Sequence, residues 1–270
     1  MTDALPPGVS FRADTEAMAA EAVDCIETTV DAADADGVVV GLSGGLDSTT
    51  TATLAVEALG SERVYGLVLP SSKLGSKSAQ DAETVADVLG IDHETIHLQP
   101  LLACFGDMVP GPVDLHGDPV VRGNLVARLR MSMLYLTANA MERLVVGTTN
   151  RSEHLLGYFT KHGDGAADVL PLAHLYKTEV ERLADALEVP PFIAEKPPTA
   201  GFYPGQSDRA DFGAPYTTVD AVLKRLVADD RTTDAICSEL GVDAAVVDRV
   251  KRHHEQTAHK RRRPPCPSVR

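Results

Sequence analysis

The stretch VVVGLSGGLDSTTTATLAVEALG, Val38 to Gly60, decides the fold. Three β-branched residues, Val38–Val40, run into Gly41-Leu42-Ser43-Gly44-Gly45-Leu46-Asp47-Ser48, and an apolar segment from Ser48 to Leu59 follows. The first reads as a buried strand and the last as a helix stopped by Gly60. A glycine-rich turn between them is an anion cradle. Gly44 and Gly45 let backbone N–H groups approach a ligand, the helix adds its positive end, and Ser43 and Ser48 supply hydroxyls. Neither common phosphate fingerprint fits, however. Gly41 to Ser48 has no lysine, and Ser43 stands where G-x-G-x-x-G needs its second glycine. Asp47 is the odd member. A carboxylate repels a phosphate unless a cation lies between them, so Asp47 is a candidate Mg²⁺ ligand.

The alternation continues outward. A helix is expected over 15–33, a strand over 64–69, a helix over 78–89 and a short strand over 94–98. A long helix over 124–140, a strand over 144–146 and a helix over 178–187 follow. Short apolar strands alternating with helices predict an α/β fold, a doubly wound, mostly parallel sheet with helices on both faces. Glu195 to Asp208, EKPPTAGFYPGQSD, is too rich in Pro and Gly for a regular element, and 195–213 is expected to be an active-site loop. Helices are expected near 219–228 and 243–254, and 255–270 forms a basic tail.

Composition narrows the class. The net charge of −14 disfavours non-specific binding to nucleic acid or to an anionic membrane. No run nears the roughly 18 apolar residues of a membrane span, and the N-terminus has no secretory pattern, so a cytoplasmic protein is expected. The four cysteines form no C-x-x-C pair and read as reduced thiols. His93 and His97, four apart in a strand-like stretch, lie about 13 Å from each other and are no zinc pair. Arg outnumbers Lys and Asp outnumbers Glu, which fits a halophilic, salt-rich cytoplasm as well as an ordinary acidic enzyme.

Ser43-Gly44-Gly45-Leu46-Asp47-Ser48 after a first strand resembles the pyrophosphate loop of the N-type ATP pyrophosphatases, which cleave ATP between the α- and β-phosphates. Three further blocks carry the resemblance further. They are Gly123-Asn124-Leu125-Val126-Ala127-Arg128, then Val146 to Glu153 with Gly157-Tyr158-Phe159-Thr160-Lys161-His162-Gly163-Asp164-Gly165 and Asp168, then Leu175 to Glu179 with Glu195 to Gly201. Together with the loop they closely resemble the ammonia-dependent NAD synthetases, from about Val38 to the tail.

That resemblance implies a Rossmann-like sheet of the adenine nucleotide alpha-hydrolase type, and a single synthetase domain over 1–270 without a glutaminase domain. It implies ATP-dependent amidation of deamido-NAD by ammonia through an acyl-adenylate, giving NAD, AMP and pyrophosphate, as the last step of NAD biosynthesis in a homodimer. Gly41, Leu42, Ser43, Gly44, Gly45, Leu46, Asp47, Ser48, Thr148, Lys177 and Thr199 would bind ATP. Arg128, Lys161, Asp168, His259 and Lys260 would contact deamido-NAD, and Asp47 with Glu153 would hold Mg²⁺. Asp47, Ser48 and Lys177 would carry the catalytic step.

Plainer readings stand beside these. Arg128 or Arg130 suits a solvated helix arginine, Glu153 suits a capping box opened by Asn150, and Asp164 suits a turn. The run Lys260-Arg261-Arg262-Arg263 suits a solvated end. Two departures from the family fall in the Pro/Gly loop: Arg209-Ala210 after Asp208, and Phe202-Tyr203 after Gly201. The competing classes are another pyrophosphatase of this superfamily, such as a tRNA-modifying enzyme, and a non-catalytic nucleotide-binding module.

Overall fold

The computed structural model describes residues 5–6, 8–71, 77–115, 117–203 and 205–266; Pro204 of the Pro/Gly loop and the last four residues of the basic tail lie outside them. Strand β1 (Val38–Leu42) pairs in parallel with β2 (Val64–Val68) on one side and β4 (Leu144–Val146) on the other, and β3 (Asp92–Thr95) flanks β2. The order is therefore β3-β2-β1-β4. Alternation along β1 sends its side chains to opposite faces. Val38, Val40 and Leu42 pack against α1 (Thr15–Ala32), α2 (Leu46–Leu59), α3 (Lys77–Leu89) and α7 (Lys177–Ala186). Val39, with Leu67 and Val145, packs against α5 (Pro119–Ala140). Helices cover both faces, as the sequence predicts.

Several boundaries differ from expectation for local reasons. The long helix begins at Pro119 rather than 124, because the Asp118 carboxylate caps the amides of Val120 and Val121 and Pro119 has no amide to satisfy. The third strand forms at 92–95, in register with Tyr65–Val68, and not at 94–98. His97 and Leu98 thus follow the strand, and α4 (Gln99–Met108) starts just beyond. The sequence reading has no counterpart for α4 or α11 (Thr233–Leu240), while α6 (Arg151–Leu156) begins at the capping box read at Asn150 and Glu153. The helix expected over 219–228 is α10 (Tyr216–Leu223) continued by a π turn at Lys224–Ala228. The last long helix is α12 (Ala244–Gln256). Segment 195–213 follows the short α8 (Pro191–Ala194) and itself contains α9 (Asp208–Phe212).

A second apolar cluster lies on the C-terminal helices. Phe212 of α9, Val219 and Leu223 of α10, Ile236 of α11 and Val247 and Val250 of α12 gather around Leu156 and Tyr176. Tyr176 immediately precedes α7, so this layer packs on the start of a helix whose other residues belong to the sheet core. Among the described residues, no helix is long and apolar enough to cross a membrane.

Leu54 on α2 is fully buried in the sheet core. Leu54→Ala should cost about 2–5 kcal/mol of unfolding free energy in a urea titration, through lost transfer energy plus the cavity.

Candidate active site

The strand order reverses between β1 and β4, and ligands of open α/β sheets bind at the carboxyl ends of such neighbouring strands. The turn after β1 is only Ser43–Gly45, since Gly41 and Leu42 extend the strand and Leu46, Asp47 and Ser48 form the first turn of α2. Gly44 adopts φ +71, and a Cβ there would stand 2.2 Å from the Ser78 carbonyl oxygen, so only glycine fits. Ser43 and Ser48 hydroxyls are 3.0 Å apart, and the Ser48 hydroxyl donates to the Gly45 carbonyl at 3.1 Å. Gly45 caps α2 without a side chain, which leaves the positive end of that helix to an incoming anion.

Asp47 is held from both sides. One oxygen accepts from Asn150 Nδ2 at 3.0 Å, and the other is ion-paired with Lys177 Nζ. Lys177, the first residue of α7, is 4% exposed. Burial alone would lower its pKa, but the Asp47 and Glu153 carboxylates more than offset this and raise it. Glu153 stands on α6, opposite. It does complete a capping box: its amide bonds Asn150 Oδ1 at 2.9 Å and its carboxylate accepts from the Asn150 amide at 3.2 Å. The capping-box reading of Glu153 is therefore met. Burial, then the Asp47 charge, push its carboxyl well above the ordinary range, and Lys177 offsets only part of that.

A cleft of about 210 Å³ opens beside the turn, between the ends of β1, β2 and β4 and α5. Gly41, Leu42, Ser43 and Thr148 line it, with Arg130 and Asp164 among the facing residues. Arg130 donates to the Leu69 carbonyl at 3.0 Å, and Asp164 accepts from the Thr160 amide at 2.9 Å, the turn role its sequence favours.

The cations assigned to the second substrate also gather. Arg128 donates to the Lys161 carbonyl at 3.3 Å, and Lys161 Nζ donates to the His259 carbonyl at 2.9 Å. Lys260 Nζ donates to the carbonyls of Gly157 and Phe159, both at 2.8 Å. The start of the tail is thus folded onto the GYFTKHGDG block, and the solvated-end reading fails for Lys260. Asp168 lies apart from these four in its bonding. It accepts from the Val145 amide at 2.7 Å and from Tyr135 at 3.2 Å. Thr199 is exposed and accepts from the Gly201 amide at 3.1 Å, outside the cleft lining. Lys196 is a partner that sequence reasoning left without a role, and Asn150, read there only as a cap, also holds Asp47. Lys196 Nζ bonds the Gly44 carbonyl and pairs with Asp81 at 2.6 Å, tying the Pro/Gly loop to the turn. Its place in a quoted block was the available signal.

The chain is similar to known proteins in both sequence and fold. The NAD synthase family model matches residues 18–264. The NH(3)-dependent NAD(+) synthetase of Methanosarcina mazei is 44% identical over 92% of this chain and 96% of its own, and that of Pyrococcus furiosus 43% identical over 86% and 88%. Among solved structures, an NMN synthetase from Francisella tularensis superposes with a TM-score of 0.80 at 35% identity, over 96% of this chain and all of that one. An NH3-dependent NAD synthetase from Campylobacter jejuni also reaches 0.80, at 30% identity over 94% of this chain and all of that one.

Gly44→Ala should weaken binding of a non-hydrolysable nucleoside triphosphate by roughly tenfold or more, about 1.4 kcal/mol, because the turn must shift off Ser78. Isothermal titration calorimetry on the two proteins measures this directly.

Proposed function

The chain belongs to the NAD synthase family, and on that premise we propose that it amidates deamido-NAD with ammonia at the expense of ATP. The observation that carries this reading is the cluster at the switch point. A lysine-free glycine turn, an open helix end, and Lys177 ion-paired with Asp47 within the field of Glu153 form one site beside a cleft.

The residues suit an adenylation route. Ammonia does not displace oxide from a carboxylate, so the nicotinate carboxylate first attacks the α-phosphorus and pyrophosphate departs. Ammonia then attacks the acyl-adenylate, and AMP leaves as the amide forms. Ser43–Gly45 and the start of α2 would cradle the departing pyrophosphate through backbone N–H groups and hydroxyls. Lys177 would transfer its charge from Asp47 to phosphate oxygens, and Thr148 would face the nucleotide from the cleft wall. Arg128, Lys161 and Lys260, with His259, would receive the anionic dinucleotide. Thr199 and Asp168 belong to this assignment by resemblance alone.

Asp47 and Glu153 fit Mg²⁺, since both are hard carboxylates, each bonded to Asn150, and each acts on the charge of Lys177. The ion would neutralise charge building on the phosphates. Among the described residues no group of three or more His, Cys, Asp or Glu could hold a metal, so phosphate oxygens and water would complete its shell.

The proposal extends to a homodimer, whose interface the apolar side chains exposed on α4 and α5 support: Phe105, Met108, Val120, Val121 and Leu136. It also extends to one synthetase domain over 1–270, with 195–213 closing on ATP and free ammonia as the nitrogen source, and to a cytoplasm rich in salt. The likeness to an NMN synthetase makes the nicotinate mononucleotide a second substrate to test.

Purified enzyme given ATP, Mg²⁺, ammonium and deamido-NAD should release equimolar NAD and AMP, and should strongly prefer deamido-NAD to the mononucleotide. No NAD at any KCl concentration would refute the reading, as would equal turnover with glutamine alone. Asp47→Ala should cut AMP formation by orders of magnitude, whereas a mere binding module would lose only affinity. Activity should also rise between dilute buffer and molar KCl, as self-repulsion of the acidic surface is screened; a flat salt profile overturns the halophilic assignment.

A further inference from the structure

Helix α7 has no side-chain cap from its own N-cap residue, Tyr176. Its first amides are satisfied from two other helices. The Lys177 amide donates to Ser152 Oγ on α6 at 2.9 Å, and the Thr178 amide donates to an Asp220 carboxylate oxygen on α10 at 2.9 Å. Ser152 Oγ in turn donates its proton to the other Asp220 oxygen. Both oxygens of one carboxylate therefore accept, and the Ser152 hydroxyl, donating to one of them, turns a lone pair to the Lys177 amide. Asp220 and Ser152 are fully buried at 0% exposure.

A buried carboxylate with no cation bonded to it is costly, and an apolar side chain in its place is commonly neutral or stabilising. Burial holds the Asp220 carboxyl up to about 7, and the charge of Glu181 on α7 pushes the same way. What this arrangement obtains is placement. Ser152 adjoins Glu153, and Lys177 is the residue whose amide Ser152 holds. One side chain thus fixes the starts of the two helices that aim Glu153 and Lys177 at Asp47. We propose that Asp220, acting through Ser152, is a positioning residue that sets Lys177 and Glu153 for the adenylation step; this rests on the reaction assigned above.

The test is Asp220→Asn beside Ser152→Ala in the full-length enzyme. Asn can still accept from Thr178 and can donate to Ser152, so the fold is retained while the forced orientation of the hydroxyl is lost. Both variants should lower kcat for NAD and AMP formation by roughly 10- to 100-fold, as outer-shell changes do. KM for deamido-NAD should stay within about twofold, because its cations lie elsewhere. The double variant should be no worse than the poorer single one, since both cut the same connection. The thermal midpoint of Asp220→Asn at pH 8 should equal or exceed that of the parent, because the charge whose burial is costly is gone. The inference is overturned if Asp220→Asn turns over within twofold of the parent, or if kcat falls only as the midpoint falls. A parent enzyme that forms no NAD defeats the reaction assignment, and this inference with it.

Discussion

The pairing of β4 directly against β1 is the constraint on which the site depends. β2 and β3 are laid down on one side of β1, and the chain must return along α5 to add β4 on the other. That return brings the turn after β4, which ends in Asn150, beside the turn after β1. Only then can Asn150 reach Asp47 across 103 residues of sequence, and Lys177 reach it across 130. The catalytic geometry is thus a consequence of strand order before it is one of side-chain choice.

Electrostatics explains why the cations are so localised. With a net charge of −14, the chain as a whole repels two polyanionic substrates. Positive charge must be concentrated where it is needed, and the structure does this in two places. One is the buried Lys177, whose ammonium stays charged because carboxylates face it. The other is the group of Arg128, Lys161 and Lys260, held by backbone carbonyls and in no salt bridge among the described residues. A carbonyl orients a cation without neutralising it. Such cations remain available to a ligand, whereas a salt bridge must first be broken.

The sheet was legible in the sequence because β1, β2 and β4 are apolar runs bounded by turn residues, and the β4 range agrees residue for residue. β3 was misplaced because DHET is a half-exposed edge strand with no apolar pattern, while the apolar Ile96 and Leu98 lie beyond it. The missed α4 carries Gly106 in its interior, which weakens a helical pattern, although Pro100 in its first turn is compatible with a helix start. The missed α11 did carry its signals, Thr232 as a cap and Gly241 in the left-handed conformation after it. In the site, Asp47, Glu153 and Lys177 were legible because each sits in a motif. Lys196 and the Asn150–Asp47 bond were not, since those partners are set only by tertiary folding.

The same distinction governs what supports the site from behind. Local capping rules account for α6, where Asn150 and Glu153 satisfy each other within one turn. They account for only part of α7: Glu179 accepts from the Tyr176 amide at 2.8 Å, but the Lys177 and Thr178 amides are met by Ser152 and Asp220 from 25 and 42 residues away. A helix capped by its own neighbours has its first amides satisfied locally, and tertiary contacts such as Ser152 to Asp220 then set where that start lies. A helix capped by two others keeps its start only while all three remain docked. The C-terminal helices that gather around Tyr176 and Leu156 therefore do more than add apolar burial: their packing is a condition for Lys177 to face Asp47.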